Sequence, residues 1–280
     1  MAASHTPFAF LNSVAKVTLD GVARGSDGRN VSLELQRRTP PPVVPKIDTW
    51  RPREGGPPAR LPSLLPAPGD LSLTLSVGDE IVFAFPALVI KIATRFRSKD
   101  LAKEAWFYEE MECLQGVGLA RCYGFFQAEL EDNIHIGLWD NDEGDEDDEG
   151  VTEAERLGDH PPRVLSILLL ERRGDRMPFG EPTPAGAKED MADIYHDMAE
   201  LGIYHRDIRW QNFLRAPSSS TGLPSLPSPY TNRAYGWRVI DFDNSEKNNS
   251  SMIDHKFYYN SFMRRIFRSI PCGFIVEPWE

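Results

Sequence analysis

Cysteine is scarce: three residues, Cys113, Cys122 and Cys272, stand in a chain of 280 with no paired metal-type spacing among them. That excludes a disulfide framework and leaves no zinc signature, so a reducing compartment is the simple expectation. Long apolar runs are also lacking. The longest, around Val164 to Leu170, falls far short of the roughly 20 residues that a membrane span needs, and Met1 to Phe10 has no basic stretch leading into an apolar one. The expectation is a soluble, unsecreted protein of the cytoplasm, with the nucleus left open and no membrane partner. A basic stripe is missing too, and with a net charge of −11 no nucleic-acid partner is expected. Eight of the carboxylates fall between Asp140 and Glu149, with no base among them; setting them aside leaves −3, so the acidity belongs to one loop.

What is present is enough for one substantial core, or for two small lobes sharing a cleft: 41% of residues are apolar and 10% aromatic. Collagen, coiled coil and full disorder are excluded. Residues 14–20 and 31–35 alternate apolar with polar around a Gly-rich turn and predict a small hairpin. From Pro40 to Pro68 the chain holds ten of its 23 prolines and little periodicity, which predicts an extended linker. Three strands come next, Leu71 to Val77, Ile81 to Phe85 and Leu88 to Ala93, read as an antiparallel sheet built of hairpins. Ser98 to Gln115 sets Leu101, Ala105, Tyr108 and Met111 on one helical face, with Ser98 and Asp100 able to cap the start and Glu104 beside that inward face. Strands are expected near Ala120 to Gln127, Ile134 to Trp139 and Val164 to Leu170. A helix from Ala187 to Leu201, closed by Gly202, precedes a polar turn, short strands at Phe213-Leu214 and Trp237 to Phe242, and a terminal helix from Met252 to Arg268. The acidic segment 140–150 and the Ser/Pro insert 216–230 both fall in connections and read as solvated loops.

The most informative stretch is Tyr204-His205-Arg206-Asp207-Ile208-Arg209-Trp210-Gln211-Asn212. It resembles a protein-kinase catalytic loop, aligning without a gap on His-Arg-Asp-Leu-Lys-x-x-Asn. Downstream, Val239-Ile240-Asp241-Phe242-Asp243 resembles the strand and Asp-Phe-Gly of the same family, with Asp243 at the usual glycine. Upstream, Leu88-Val89-Ile90-Lys91-Ile92 resembles the Val-Ala-Ile-Lys strand. Taken singly, these residues are bland: a strand lysine usually faces solvent, and a helix glutamate is usually a solvated ion-pair partner. Order changes that weighing. Lysine strand, glutamate helix, apolar hinge strand, long helix, catalytic loop and Asp-Phe strand succeed one another as in the family, over about Leu71 to Asp243. The chain is most similar to the divergent kinase-like proteins common in fungi, on Glu104-Ala105, Tyr108 and Gln115-Gly116.

The resemblance implies an α+β fold with a bilobal, protein-kinase-like arrangement and a truncated C-terminal lobe. Its parts would be an N-terminal hairpin (1–38), a Pro-rich linker (39–69), a small lobe (70–173) and a helical lobe (174–280). It implies Mg2+ and ATP in the cleft and transfer of the γ-phosphate to a hydroxyl, which would belong to a protein Ser/Thr or to a small molecule. Phosphoryl transfer needs positioning and charge neutralisation more than covalent help. By resemblance Asp241 and Asn212 would hold magnesium, and Asp207 would orient or accept the proton of the incoming hydroxyl. Arg209 would neutralise the transferring group. Lys91 would hold the nucleotide phosphates, with Glu104 the best candidate to position it and the outward-facing Glu109 and Glu110 as alternatives. Adenine would lie against the hinge near Glu171 and Arg172, and His205 would organise the loop.

Three features depart from the family pattern. Ser76-Val77-Gly78-Asp79-Glu80 has one glycine and two carboxylates where a Gly-rich loop would cradle phosphate. Only 39 residues lie beyond Asp241, without Ala-Pro-Glu and without room for several peptide-docking helices. Asp-Phe-Asp, finally, resembles the metal motif of aminoglycoside and choline phosphotransferases about as well. These keep a small-molecule kinase and a nucleotide-binding pseudokinase scaffold as alternatives to a protein kinase. Oligomeric state does not follow from the sequence.

Overall fold

The computed structural model describes residues 14–43, 72–77, 87–94, 97–136, 163–217, 223–248 and 250–273. The fold is mixed α and β: a curled antiparallel sheet and a few helices. Ile81 to Phe85, the acidic segment 140–150 and most of the Pro-rich stretch lie outside the described residues.

Strands β1 (Val14–Arg24) and β2 (Asn30–Arg38) form a hairpin, Val17 opposite Leu35 and Leu19 opposite Leu33. Their alternating apolar residues, Val17, Leu19, Leu33 and Leu35, are buried and pack against Leu165, Ile167 and Leu169. The hairpin is thus no separate segment, and the expected division at 39–69 does not set it apart from the main sheet. β2 pairs with β5 (Cys122–Glu129), Gln36 opposite Gln127, so the edge of β5 finds its backbone partners in the N-terminal strands.

β3 (Ser72–Val77) pairs with β1 at one end of the sheet, and β4 (Leu88–Thr94) pairs with β7 (Val164–Glu171) at the other. Adjacent β3 and β4 are therefore at opposite edges rather than in one hairpin meander. The short β6 (His135–Ile136) pairs with β1, and the path across the sheet is β3-β1-β2-β5-β7-β4.

Helix α1 (Arg97–Glu110) crosses the other face of the sheet, burying Leu101, Ala105 and Tyr108 as their spacing predicts. Ser98 does not cap it: the buried hydroxyl reaches toward the carbonyls of Ala93 and Val164. α2 (Ala187–Glu200) buries Met191, Ile194, Tyr195 and Met198 in the same large cluster, and Gly202 closes it at φ +69°, a conformation in which a side chain would strain. After β8 (Ile203–Tyr204) the chain makes a polar loop, and β9 (Phe213–Arg215) pairs with β10 (Trp237–Val239). β11 (Glu246–Lys247) returns to β8, and α3 (Met252–Ser269) packs against α2. Among the described residues no helix is long and apolar enough to cross a membrane.

Candidate functional site

The β-ladders decide where the polar residues end up. In β4, Lys91 lies opposite Leu168, and Leu168 and Leu170 face the cluster around α1. Lys91 therefore leaves the sheet on the α1 side. There its Nζ meets Glu104 Oε2 at 2.7 Å and Oε1 at 2.9 Å. Glu104 is buried between Leu101 and Tyr108 on the inner face of α1, while Glu110 turns outward to Lys247.

Far along the chain, Phe213 pairs with Val239, which sets Asn212 beside Ile240; the Ile240 N–H donates to the Asn212 carbonyl at 3.2 Å. One residue on, Asp241 takes φ +74°, rare for a side chain other than glycine and a mark of a backbone held by its surroundings. That turn brings its Oδ1 to 2.7 Å from Lys91 Nζ. Lys91 thus bridges Glu104, 13 residues away, and Asp241, 150 residues away.

Two buried carboxylates share one ammonium. Burial opposes the charge on Lys91, but Glu104 and Asp241 outweigh it and hold the amine charged above its ordinary range. Burial would raise Asp241 as well, yet the charge and hydrogen bond of Lys91 bring it below the ordinary carboxylate value. For Glu104 burial prevails over Lys91, and its carboxyl lies above the ordinary value. Asp243 is pushed up to about 7, first by burial and then by the Asp241 and Glu104 charges. This pocket gathers more negative than positive charge, a place that favours an added cation.

The loop between β8 and β9 is held as closely. Asp207 is buried; it accepts from Arg209 Nε, and from Asn212 Nδ2 at 3.2 Å. Asn212 Nδ2 also donates to the Asp207 carbonyl at 2.9 Å. With its nitrogen engaged in the loop, Asn212 has its amide oxygen to offer an ion. Asp241 and Asn212 are thus two hard oxygen donors, and among the described residues no group of three His, Cys, Asp or Glu is set to hold a metal. The donor set fits magnesium, which is commonly bound by one or two protein ligands together with substrate phosphates and water.

His205 is fully buried, and its Nε2 lies 2.9 Å from the Ile240 carbonyl. A carbonyl only accepts, so Nε2 carries the proton of a neutral ring. Burial lowers the pKa of His205, consistent with that form. Phe242 packs edge-on against both His205 and Tyr108, tying Asp241 to the helix that carries Glu104.

His255, on α3, is buried against Tyr204 at 3.8 Å, and burial lowers its pKa too. A histidine kept neutral in the fold takes up its proton more readily when unfolded, so the unfolded state gains protons as pH falls. Its stabilising contribution is present above pH 6.5 and lost as pH falls through that value. Thermal unfolding between pH 7.5 and about 5.5 should therefore show a shallower fall for His255→Phe than for the wild type. Equal slopes would contradict the assignment.

Glu171, expected beside the nucleotide base, is fully buried and paired with Arg121 at 2.8 Å. Arg121 also donates to the carbonyls of Leu223 and Pro224, which pins part of the Ser/Pro insert beside the end of β7. The close packing requires Gly116, at φ +75°, where a Cβ would come within 2.7 Å of the Arg121 guanidinium. Arg238, also buried, donates to the Gly116 carbonyl and to Ser225 Oγ, so residues 223–226 are held against the fold while Pro224 stays exposed. Arg172 has an exposed side chain, and its backbone N–H is taken by the Ala87 carbonyl.

Sequence reasoning missed Arg121 and Arg238. Each interrupts an apolar run, Leu119-Ala120-Arg121-Cys122-Tyr123 and Trp237-Arg238-Val239-Ile240, and a charge in a buried strand requires partners. It also missed Tyr259, whose hydroxyl accepts from the His205 N–H at 2.9 Å and donates to the Ile203 carbonyl at 2.6 Å. No local signal marks that tyrosine; only the packing of α3 under the loop does.

No protein-family model matches the chain, and no curated protein matches it significantly.

Proposed function

We propose that the chain is a phosphotransferase of the protein-kinase-like type, with a small lobe over a helical lobe, which moves the γ-phosphate of magnesium-bound ATP to a hydroxyl. The observation that carries this reading is the Lys91 ammonium in contact with both Glu104 and Asp241. A buried cation with two anionic partners drawn from separate parts of the chain is costly to assemble for stability alone. Phosphate handling gives it a purpose.

Magnesium, when bound, supplies neutralisation of the β- and γ-phosphate oxygens. The chain's own residues do the rest. Lys91, oriented by Glu104, sets its ammonium charge beside the nucleotide phosphates. The acceptor hydroxyl gives its proton to the Asp207 carboxylate as its oxygen bonds to the γ-phosphorus, and the bond from that phosphorus to the β-bridging oxygen breaks to release ADP. Arg209, beside Asp207, neutralises the phosphoryl group in passage.

A protein Ser/Thr hydroxyl is the first acceptor we propose, on the gap-free catalytic loop. A small-molecule alcohol is the second reading, favoured by a specific feature: only residues 244–251 separate Asp243 from α3, and β11 within them returns directly to β8. That leaves little chain to hold an extended peptide. Three unpaired cysteines, Cys113, Cys122 and Cys272, support a reducing compartment, the cytoplasm or nucleus.

Binding can be tested without knowing the acceptor. Millimolar ATP with magnesium should raise the melting temperature of the wild type, and Asp241→Asn should lose the magnesium-dependent part of that rise. A rise that is equal with and without magnesium, in both proteins, would remove Asp241 from the metal.

A further inference from the structure

The fold uses only one side of α3. His255, Tyr259, Met263 and Ile266 face inward, and Tyr259 holds the His205 loop. The outer side carries side chains that neither the core nor the mechanism employs. Among the described residues three large apolar side chains are exposed, Tyr230, Ile253 and Phe257, the last two to 78% and 79%. A single exposed apolar residue is ordinary on a protein surface. Ile253 and Phe257 are a pair: four residues apart on α3, they stand one above the other on the same helical face.

That face continues in arginine. At 3.6 residues per turn, positions 264 and 268 fall on the stripe of 253 and 257, with Arg265 at its side. Arg264, Arg265 and Arg268 are exposed, and none forms a hydrogen bond or ion pair among the described residues. The chain has 42 Asp and Glu against 31 Lys and Arg, yet supplies none of these three with a partner there. Asp254, the one carboxylate of α3, is occupied at the N-cap, where it accepts from Ser251 Oγ at 2.7 Å. From Ile253 to Arg268 the stripe runs about 22 Å, apolar at one end and cationic at the other.

The two ends together define what fits. Unpaired guanidinium forks match carboxylates two oxygens at a time, so the occupant is anionic. The apolar pair asks for bulky side chains beside that charge. A bilayer suits the stripe poorly, because a helix lying on lipid needs apolar residues along its whole length, and here Asn260 and Ser261 interrupt the outer face. An extended anionic surface also meets the charge of the whole chain, −11, whereas a short segment meets only the charges within about 10 Å of the stripe.

We propose that the outer face of α3 docks an acidic protein segment, its bulky apolar residues seated on Ile253 and Phe257 and its carboxylates laid along Arg264, Arg265 and Arg268. The surface is separate from the phosphate-handling residues, and the proposal does not depend on the phosphotransferase reading.

The test uses two fluorescently labelled synthetic peptides and the full chain. One probe carries leucine and phenylalanine ahead of a run of glutamates; in the other those apolar residues are serine. Fluorescence anisotropy should show the apolar probe binding about tenfold or more tightly than the serine probe. Phe257→Ser should remove that preference, and the double variant Arg264→Glu, Arg268→Glu should weaken both probes about tenfold or more and flatten their dependence on salt. These side chains are exposed, so thermal unfolding of the variants should match the wild type; should Phe257→Ser fail to fold, Ile253→Ser gives the same comparison. No binding of the apolar probe, equal binding of both probes, or binding unchanged in the variants overturns the proposal. So does a Phe257-dependent capture of phosphatidylserine vesicles with no capture of peptide, which would make lipid the occupant, or a Phe257-dependent dimer in sedimentation, which would make it a second copy.

Discussion

Asp207→Asn is expected to slow single-turnover phosphoryl transfer by ~10²–10⁴-fold, the usual contribution of a positioned general base. The amide oxygen can still accept from Arg209, and Asn212 Nδ2 keeps its bond to the residue 207 carbonyl, at the cost of its longer contact to the second carboxylate oxygen. The loop should therefore keep its shape, and the nucleotide-dependent rise in melting temperature should persist. Rapid-quench kinetics alongside thermal unfolding separate the two effects. A variant that loses nucleotide binding together with transfer would show Asp207 to be structural.

Lys91→Met should have the largest effect on stability. It removes the ammonium that contacts both Glu104 and Asp241, whose side chains are 2% and 7% exposed. Breaking a buried pair by deleting one member leaves uncompensated charge and lowers stability by about 3–5 kcal/mol. The sign of the pH dependence distinguishes this from simple loss of packing. In the variant both carboxyls are easier to protonate in the fold than when unfolded, so the folded state holds the extra protons. The loss should be greatest near neutral pH and shrink as pH falls below about 4.5, where the carboxyls are protonated in either state. Chemical denaturation of wild type and variant at pH 7 and pH 4 measures it. An equal loss at both would mean that the triad contributes through shape alone.

How far the sequence reaches differs between the two halves of this picture. Elements set by short-range periodicity were legible: the face of α1 with Leu101, Ala105 and Tyr108, the apolar β7, and α2 closed by Gly202. So was the set of polar residues, because Lys91, Glu104, Asp207, Asn212 and Asp241 stand in motifs whose order could be compared with a family. Pairing was not legible. Nothing local says that β2 joins β5, or that β3 and β4 part to opposite edges, because strand neighbours are chosen by which apolar faces bury together over long separations.

Glu171 illustrates the same limit at the site. The resemblance set it beside a nucleotide base, and nothing near it in the sequence says that it is buried against Arg121, 50 residues earlier, which also holds the insert's carbonyls. The insert's own composition, Ser and Pro, describes a chain that forms little regular structure; it does not say that two arginines will hold residues 223–226 in place. Tyr259 is legible only once α3 is seen to lie beneath His205.

The most direct test of the central claim is single-turnover transfer of labelled γ-phosphate from magnesium ATP to a peptide mixture and to a panel of small alcohols. Wild-type protein should label one acceptor class, Asp207→Asn should label it ~10²–10⁴-fold more slowly, and Asp241→Asn should lose the label. Nucleotide binding without transfer to any acceptor, in a wild type whose melting temperature ATP still raises, would contradict the account and leave a nucleotide-binding scaffold in its place.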